Sequence, residues 1–188
     1  MGAKSNQRVA LTKQLIYQAF FTLLKKKSIR QISIRELCEI AGINRTTFYN
    51  HYGSQYDVLA EMADNYLGEI AKAIENTDVK NKERVHSRVA LVLHVIQDNP
   101  ELSSMLMNND PDETFAQRLF SLPEIEEMLN AALAEIQDEK EKVATIAFAI
   151  HGSYKVLQDW INDPERVSPE EETELILTLA GRVCGWKS

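Results

Sequence analysis

Ser33-Ile34-Arg35-Glu36-Leu37-Cys38-Glu39-Ile40-Ala41-Gly42-Ile43-Asn44-Arg45-Thr46-Thr47-Phe48-Tyr49-Asn50-His51-Tyr52 is the stretch whose reading decides the fold. Ser33 followed by Glu36 is a capping-box pattern, in which the hydroxyl and the carboxylate satisfy the free N–H groups of a helix start. It predicts a short helix from Ser33 to about Ile40. Ala41-Gly42-Ile43 then breaks that helix, because Gly42 can enter a tight turn at positive φ without a Cβ penalty. Asn44 is a good N-cap for another short helix, Arg45 to about His51. Two short helices joined by a glycine turn and preceded by a longer helix make a helix-turn-helix.

Upstream, a helix is expected from about Gln7 to Lys27, with Ile16, Ala19, Phe20, Leu23 and Leu24 on one stripe. Lys25, Lys26 and Lys27 suit the negative end of its dipole. Downstream, Gly53-Ser54 interrupts the chain, and Ser54 with Asp57 starts a long helix carrying Val58, Met62, Tyr66, Ile70 and Ile74. After the polar stretch Thr77–Asn81, helices are expected over about Lys82–Asp98, Leu102–Met107, Glu113–Leu119, Glu124–Ile136 and Glu139–Ile161. Ser168-Pro169-Glu170-Glu171 supplies an N-cap, a proline at N1 and a glutamate at N3 for the last one. The expectation is an all-α protein of about nine helices. A helix-turn-helix domain occupies residues 1–53, and a helical regulatory and dimerisation domain residues 54–188.

Charge separates the same two parts. Residues 1–60 hold nine Lys/Arg against three acids, a balance of +6, whereas the remainder holds 12 basic and 25 acidic groups, a balance of −13. A basic module on an acidic body is the asymmetry expected when one small domain meets phosphates. The two cysteines, Cys38 and Cys184, form no CxxC pair and suit a reduced compartment. No apolar run is long enough to span a bilayer and the first residues lack a signal-peptide core. The expected location is the bacterial cytoplasm, associated with the nucleoid, with no membrane partner.

On the second short helix, Arg45 can pair with guanine edges, Thr47 and Asn50 can reach bases or phosphate, and Tyr49 offers a phenol to phosphate oxygens. Ser33 and Thr46 stand at helix N-termini, where backbone N–H groups also favour phosphate. From Ile32 to Tyr52 the sequence resembles the signature of the TetR (tetracycline-repressor) family. A Ser/Thr-led helix, an Ala-Gly-Ile turn and a Phe-Tyr-x-His-Tyr close follow one another at the family's spacing. The resemblance implies phosphate contacts at Ser33, Tyr49 and around His51, and base contacts at Arg35, Arg45, Thr46, Thr47 and Asn50. With Asn44, Tyr52 and Gln55 these complete the expected DNA-facing set. Gln55 departs from the family, which commonly places a phosphate-binding lysine there.

The resemblance also implies that the last two helices pair with their copies in a homodimer on a palindromic operator. The apolar arc of Glu139–Ile161 is too wide for one subunit's core, which supports the same reading. The expected dimer residues are Ile146, Ile150, Tyr154, Leu157, Leu175, Leu179 and Val183. A small-molecule pocket is implied in the middle helices, with Tyr66, His94, Met105, Met107, Phe115, Phe120, Met128 and Trp160 as candidate lining. His94 and Asp98 lie one turn apart without a third ligand, so no metal is expected, and no cofactor or catalytic constellation is seen.

Two functions remain open at this point. One is a repressor released from its operator by a small molecule. The other is a ligand-independent DNA-binding adaptor or co-activator whose C-terminal domain docks another protein. A cavity of about 300 Å³ or more in the middle helices would favour the first.

Overall fold

The computed structural model describes residues 2–75, 82–109, 114–134 and 136–185. The expected connection Thr77–Asn81 and the residues Asp110-Pro111 and Glu113 lie outside these. The order is α1 (Gly2–Leu24), a 3₁₀ turn (Ile29–Gln31), α2 (Ile34–Ala41), α3 (Arg45–Tyr49) and α4 (Gln55–Glu75). Then follow α5 (Lys82–Asp98), α6 (Pro100–Asn108), α7 (Thr114–Phe120), α8 (Pro123–Ala132), α9 (Glu139–Asn162) and α10 (Pro169–Cys184). The described residues are all helix, turn and coil, with no strand. The chain divides into two compact units, Met1–Tyr66 and Leu67–Ser188, and the division falls inside α4.

In the first unit, α1 buries Ile16, Ala19, Phe20, Leu23 and Leu24, the stripe that its period predicts. α1 packs on α2, and α2 on α3. Ile29, Ile32, Leu37, Cys38, Ala41 and Phe48 close the core from the other side. α1 ends three residues before its expected limit at Lys27, and Ser28 and Gln31 shape the 3₁₀ turn that follows.

In the second unit, α10 packs on α5 and α9, and α6 packs on α9. Val92, Leu93, Ile96, Leu106, Leu119, Leu157 and Ile176 form its buried apolar centre. Ser103 is buried and satisfied locally, its Oγ sharing its proton between the carbonyls of Ile96 at 3.0 Å and Asn99 at 2.9 Å, whereas Arg88 Nε, Glu124 Oε2, Arg166 Nε and Thr173 Oγ1 are buried without a partner. Trp160 Nε1 donates to the Val167 carbonyl at 2.9 Å, tying the end of α9 to the segment before α10. The start of α10 is a complete capping box between Ser168 and Glu171, with Pro169 at N1 as its sequence predicts. α8 stops at Ala132, short of the expected Ile136. No helix among the described residues is long and apolar enough to cross a membrane.

Candidate nucleic-acid interface

The turn between α2 and α3 is fixed by backbone geometry. Gly42 sits at φ 65° and ψ 30°, the left-handed region. A Cβ placed there would meet nothing within 4 Å, so glycine is required by its torsion and not by space. Ser33 Oγ accepts from Glu36 N at 3.2 Å and caps α2, but the Glu36 carboxylate pairs with Lys27 instead of closing the predicted box. Asn44 Oδ1 accepts from Thr47 N at 2.7 Å and caps α3. Capping of this kind contributes about 1 kcal/mol, which matters for a helix of five residues.

Phe48, at 0% exposure, anchors α3 to the core. Its ring meets Tyr49 edge-on with centroids 5.6 Å apart and Tyr52 at 5.8 Å. With Phe48 inward, Arg45, Thr46, Tyr49 and Asn50 are exposed, and Thr47 and His51 are half-buried. Ser33, Arg35 and Asn44 are exposed beside them, and Gln55 is half-buried at the first position of α4. The result is a short helix offering a guanidinium, hydroxyls, a phenol and a carboxamide to solvent.

Tyr52 departs from the expected set, because it is buried. Its hydroxyl donates to Tyr17 Oη at 3.4 Å, and Lys13 Nζ lies 5.5 Å from its ring centroid. Lys13 in turn donates to both Glu61 oxygens, at 2.6 and 2.9 Å. Burial, and then the bond to Tyr17, push the Tyr52 hydroxyl far above its usual range, so it stays protonated. Burial alone would raise the Glu61 carboxyl, but the bonds from Lys13, with the phenols of Tyr52 and Tyr17 beside it, hold it below the usual carboxylate range. Tyr52 therefore braces α3 against α1 and α4. Sequence reasoning missed Tyr17 and Glu61. Their signal was a polar pair on α1 (Lys13, Tyr17) matched by one on α4 (Glu61, Asn65), each at i,i+4.

Ion pairing also qualifies the charge argument. Lys13 pairs with Glu61, Lys27 with Glu36, and Arg35 with Glu39 through Nε at 2.8 Å. Three of the nine basic side chains in residues 1–60 are thus tied to carboxylates. Arg8, Lys26, Arg30 and Arg45 remain exposed.

The second unit contains a cavity of about 100 Å³. α5 contributes Val85, Arg88, Val89, Val92 and Leu93, and Phe120, Met128, Leu129, Ser153, Leu157, Ile176 and Cys184 complete most of the wall. Of the expected pocket residues, Phe120 and Met128 line it. Tyr66, Met105, Met107, Phe115 and Trp160 are packed elsewhere as core. His94 faces outward and meets Glu170 at 2.8 Å. The apolar volume falls short of the 300 Å³ expected for a drug-sized ligand. A second, more polar recess of about 300 Å³ lies along Gln117, Glu126, Asn130, Ile146, Ile150 and His151. Arg88 was missed, although it interrupts the apolar stripe Val85–Val89–Val92 of α5 and so was legible. No three His, Cys, Asp or Glu side chains converge on a metal-sized site among the described residues.

Helix-turn-helix geometry and an all-helical second unit define the class: a helix-turn-helix transcriptional regulator. Residues 83–181 match the family model described as the transcriptional regulator C-terminal region of TetR type. The chain belongs to the TetR family, whose members are regulators and not enzymes. It is 19% identical over 177 residues to the HTH-type transcriptional regulator YxbF of Bacillus subtilis (strain 168). That match takes in 89% of this chain but spans only 44% of the relative's length. Among solved structures, a TetR transcriptional regulator from Streptococcus agalactiae 2603V superposes with TM-score 0.74 at 21% identity, over 96% of this chain and 99% of that one. A TetR-family regulator from Syntrophomonas wolfei gives 0.66 at 19% identity, over 93% and 95%. These two likenesses show the fold.

Proposed function

We propose that the protein is a homodimeric repressor that binds a palindromic operator through α3 and leaves it when a small molecule enters the second unit. The observation that carries the DNA-binding part is the exposure of Arg45, Thr46, Tyr49 and Asn50 on a helix anchored by Phe48. Base-edge recognition needs side chains of these types on a rigid support that enters the major groove. The protein acts in the cytoplasm on nucleoid DNA.

Exposed apolar side chains on α9 and α10 support the dimer. Val143 (58% exposed) and Phe148 (67%) stand out on α9, and Leu175, Leu179 and Val183 follow one another by four on α10. Large apolar side chains at such exposure are costly unless another surface covers them. Tyr154 and Leu157, expected in this interface, are buried within the subunit, and Ile146 and Ile150 are half-buried. We therefore place Phe148 in the interface, with Leu175, Leu179 and Val183, where Tyr154 and Leu157 are expected from the sequence. The apolar cavity of about 100 Å³ is smaller than the volume that would favour a ligand sensor; the more polar recess of about 300 Å³ reaches it, and the ligand-release part of the reading rests on that recess.

Selection of binding sites from random duplex DNA tests this reading. The expected result is a palindrome with half-sites one turn apart, lost in Arg45→Ala, and repression of a reporter placed behind it. A flat signal without a motif would overturn sequence-specific binding, and activation of the reporter would overturn repression.

A further inference from the structure

We propose that the apolar cavity of the second unit is a binding site in its own right, one that takes a small uncharged hydrocarbon of about five heavy atoms. This goes beyond the ligand-release reading, which rests on the more polar recess. The two spaces share Phe120 and Leu129 as a wall and are otherwise lined by different residues.

The cavity comes from a mismatch of side-chain size. Val89 and Val92 of α5, Leu157 of α9 and Ile176 of α10 stand around it. Among them are three small side chains, Ala149 and Ser153 one turn apart on α9, and Ala180 one turn beyond Ile176 on α10. Small residues at these positions leave about 100 Å³ unfilled. Protein interiors are otherwise packed to near-crystal density, so the atoms lining such a space lack dispersion partners on one side.

Arg88 props the wall. It is only 4% exposed, and its Nη1 donates to the Glu124 carbonyl at 3.2 Å and to Glu127 Oε2 at 2.9 Å, both on α8. Those bonds set the spacing of α5 from α8, and closing the cavity by shifting either helix would break them. Its Nε is buried, so the arginine holds the wall without opening a donor on the space.

The class of occupant follows from the surface, which is almost wholly apolar. Burial pushes the Cys184 thiol up, so it stays neutral. A ligand group that hydrogen-bonds in water would lose those bonds on entry and find no partner. A hydrocarbon leaves no such bond behind and supplies the contacts that the lining lacks. Size sets the limit. An apolar cavity of about 150 Å³ holds benzene, so about 100 Å³ admits a five-membered ring or a xenon atom but not a fused aromatic.

Three rings of one size test this: cyclopentane, tetrahydrofuran and pyrrolidine. Methyl-resolved NMR titration of the full chain reads binding at Val92, Leu157 and Ile176, with xenon under pressure as a second probe. Cyclopentane should shift those methyls and bind at least about ten-fold more tightly than tetrahydrofuran. Xenon should shift the same set, and pyrrolidine, which carries a charge, should shift none. Ala180→Leu should fill the space, abolish the shifts from both apolar probes and melt no lower than wild type. Ser153→Val serves if Ala180→Leu does not fold. Equal binding of cyclopentane and tetrahydrofuran, or binding of pyrrolidine, would overturn the proposal. So would shifts that persist in the folded filling variant, or methyls unmoved by cyclopentane and xenon.

Discussion

Arg45 Nη2 donates to the phenolic oxygen of Tyr49 at 3.4 Å, one turn further along α3, and the guanidinium carbon lies 5.9 Å from that ring's centroid. The bond holds the arginine side chain along the exposed face of the helix before any DNA arrives. Less rotamer freedom then has to be surrendered on binding. Arg45→Ala is expected to cost about 1–3 kcal/mol on the selected operator and to relax preference at one base position per half-site. Tyr49→Phe removes only the hydroxyl and should cost about 1 kcal/mol, evenly across operator variants. Fluorescence anisotropy on single-base operator variants separates the two patterns.

Charge pairing sets the salt dependence. With Arg35 bound to Glu39 and a glutamine at the start of α4, fewer cations reach phosphate than the sequence count suggests. Gln55→Lys should tighten operator binding and steepen the slope of log K against log salt by about one per subunit. Glu39→Gln should also tighten binding, because it releases Arg35. Unchanged slopes in both variants would mean that neither position approaches the backbone.

Stability of the first unit should follow the Lys13–Glu61–Tyr52–Tyr17 cluster. Because the Glu61 carboxyl is held low when folded, its contribution is present above its unfolded pKa of about 4.3 and is lost as pH falls through the folded value. Between about pH 6 and about pH 3, thermal melts of Glu61→Gln should therefore fall less than those of wild type. Tyr52 behaves in the opposite sense. Its hydroxyl is held high when folded, so its contribution is present below about pH 10 and is lost as pH rises further. Tyr52→Phe should lower stability by about 1 kcal/mol near neutrality and flatten the alkaline limb.

Much of this was legible in the chain. Ser33, Gly42 and Asn44 announce a helix, a left-handed turn and a second helix, because caps and positive φ are decided by neighbours within four residues. The side chains along α3 follow from that register. Tyr52 was read as surface because its aromatic neighbours Tyr49 and His51 shared its motif. Its burial depends on Tyr17 and Lys13, some 35 residues away in sequence. Glu36 is expected to close a capping box, but its competing partner Lys27 lies nine residues upstream, in the turn that follows α1. The cavity was harder to read. Met105, Met107, Phe115 and Trp160 carry the residue types of a pocket but fill the core, since type does not reveal where packing stays incomplete.

The exposed face of α9 and α10 gives a test of the dimer. Phe148→Glu and Leu179→Glu should leave each subunit folded, because both side chains point to solvent in the single chain. Light scattering should then report monomers, and operator binding should drop by far more than a phosphate contact is worth. Leu157→Glu should instead unfold the second unit, since that side chain lies in its core. Intact dimers in both surface variants would place the interface elsewhere.

The central claim is that two α3 helices of one dimer read two half-sites about one helical turn apart. The direct measurement is the affinity of wild type for its selected operator before and after about five base pairs, half a turn, are inserted at the dyad. The account predicts that binding falls to the level of a single half-site and recovers in part when about ten are inserted. Undiminished affinity after the half-turn insertion would contradict it.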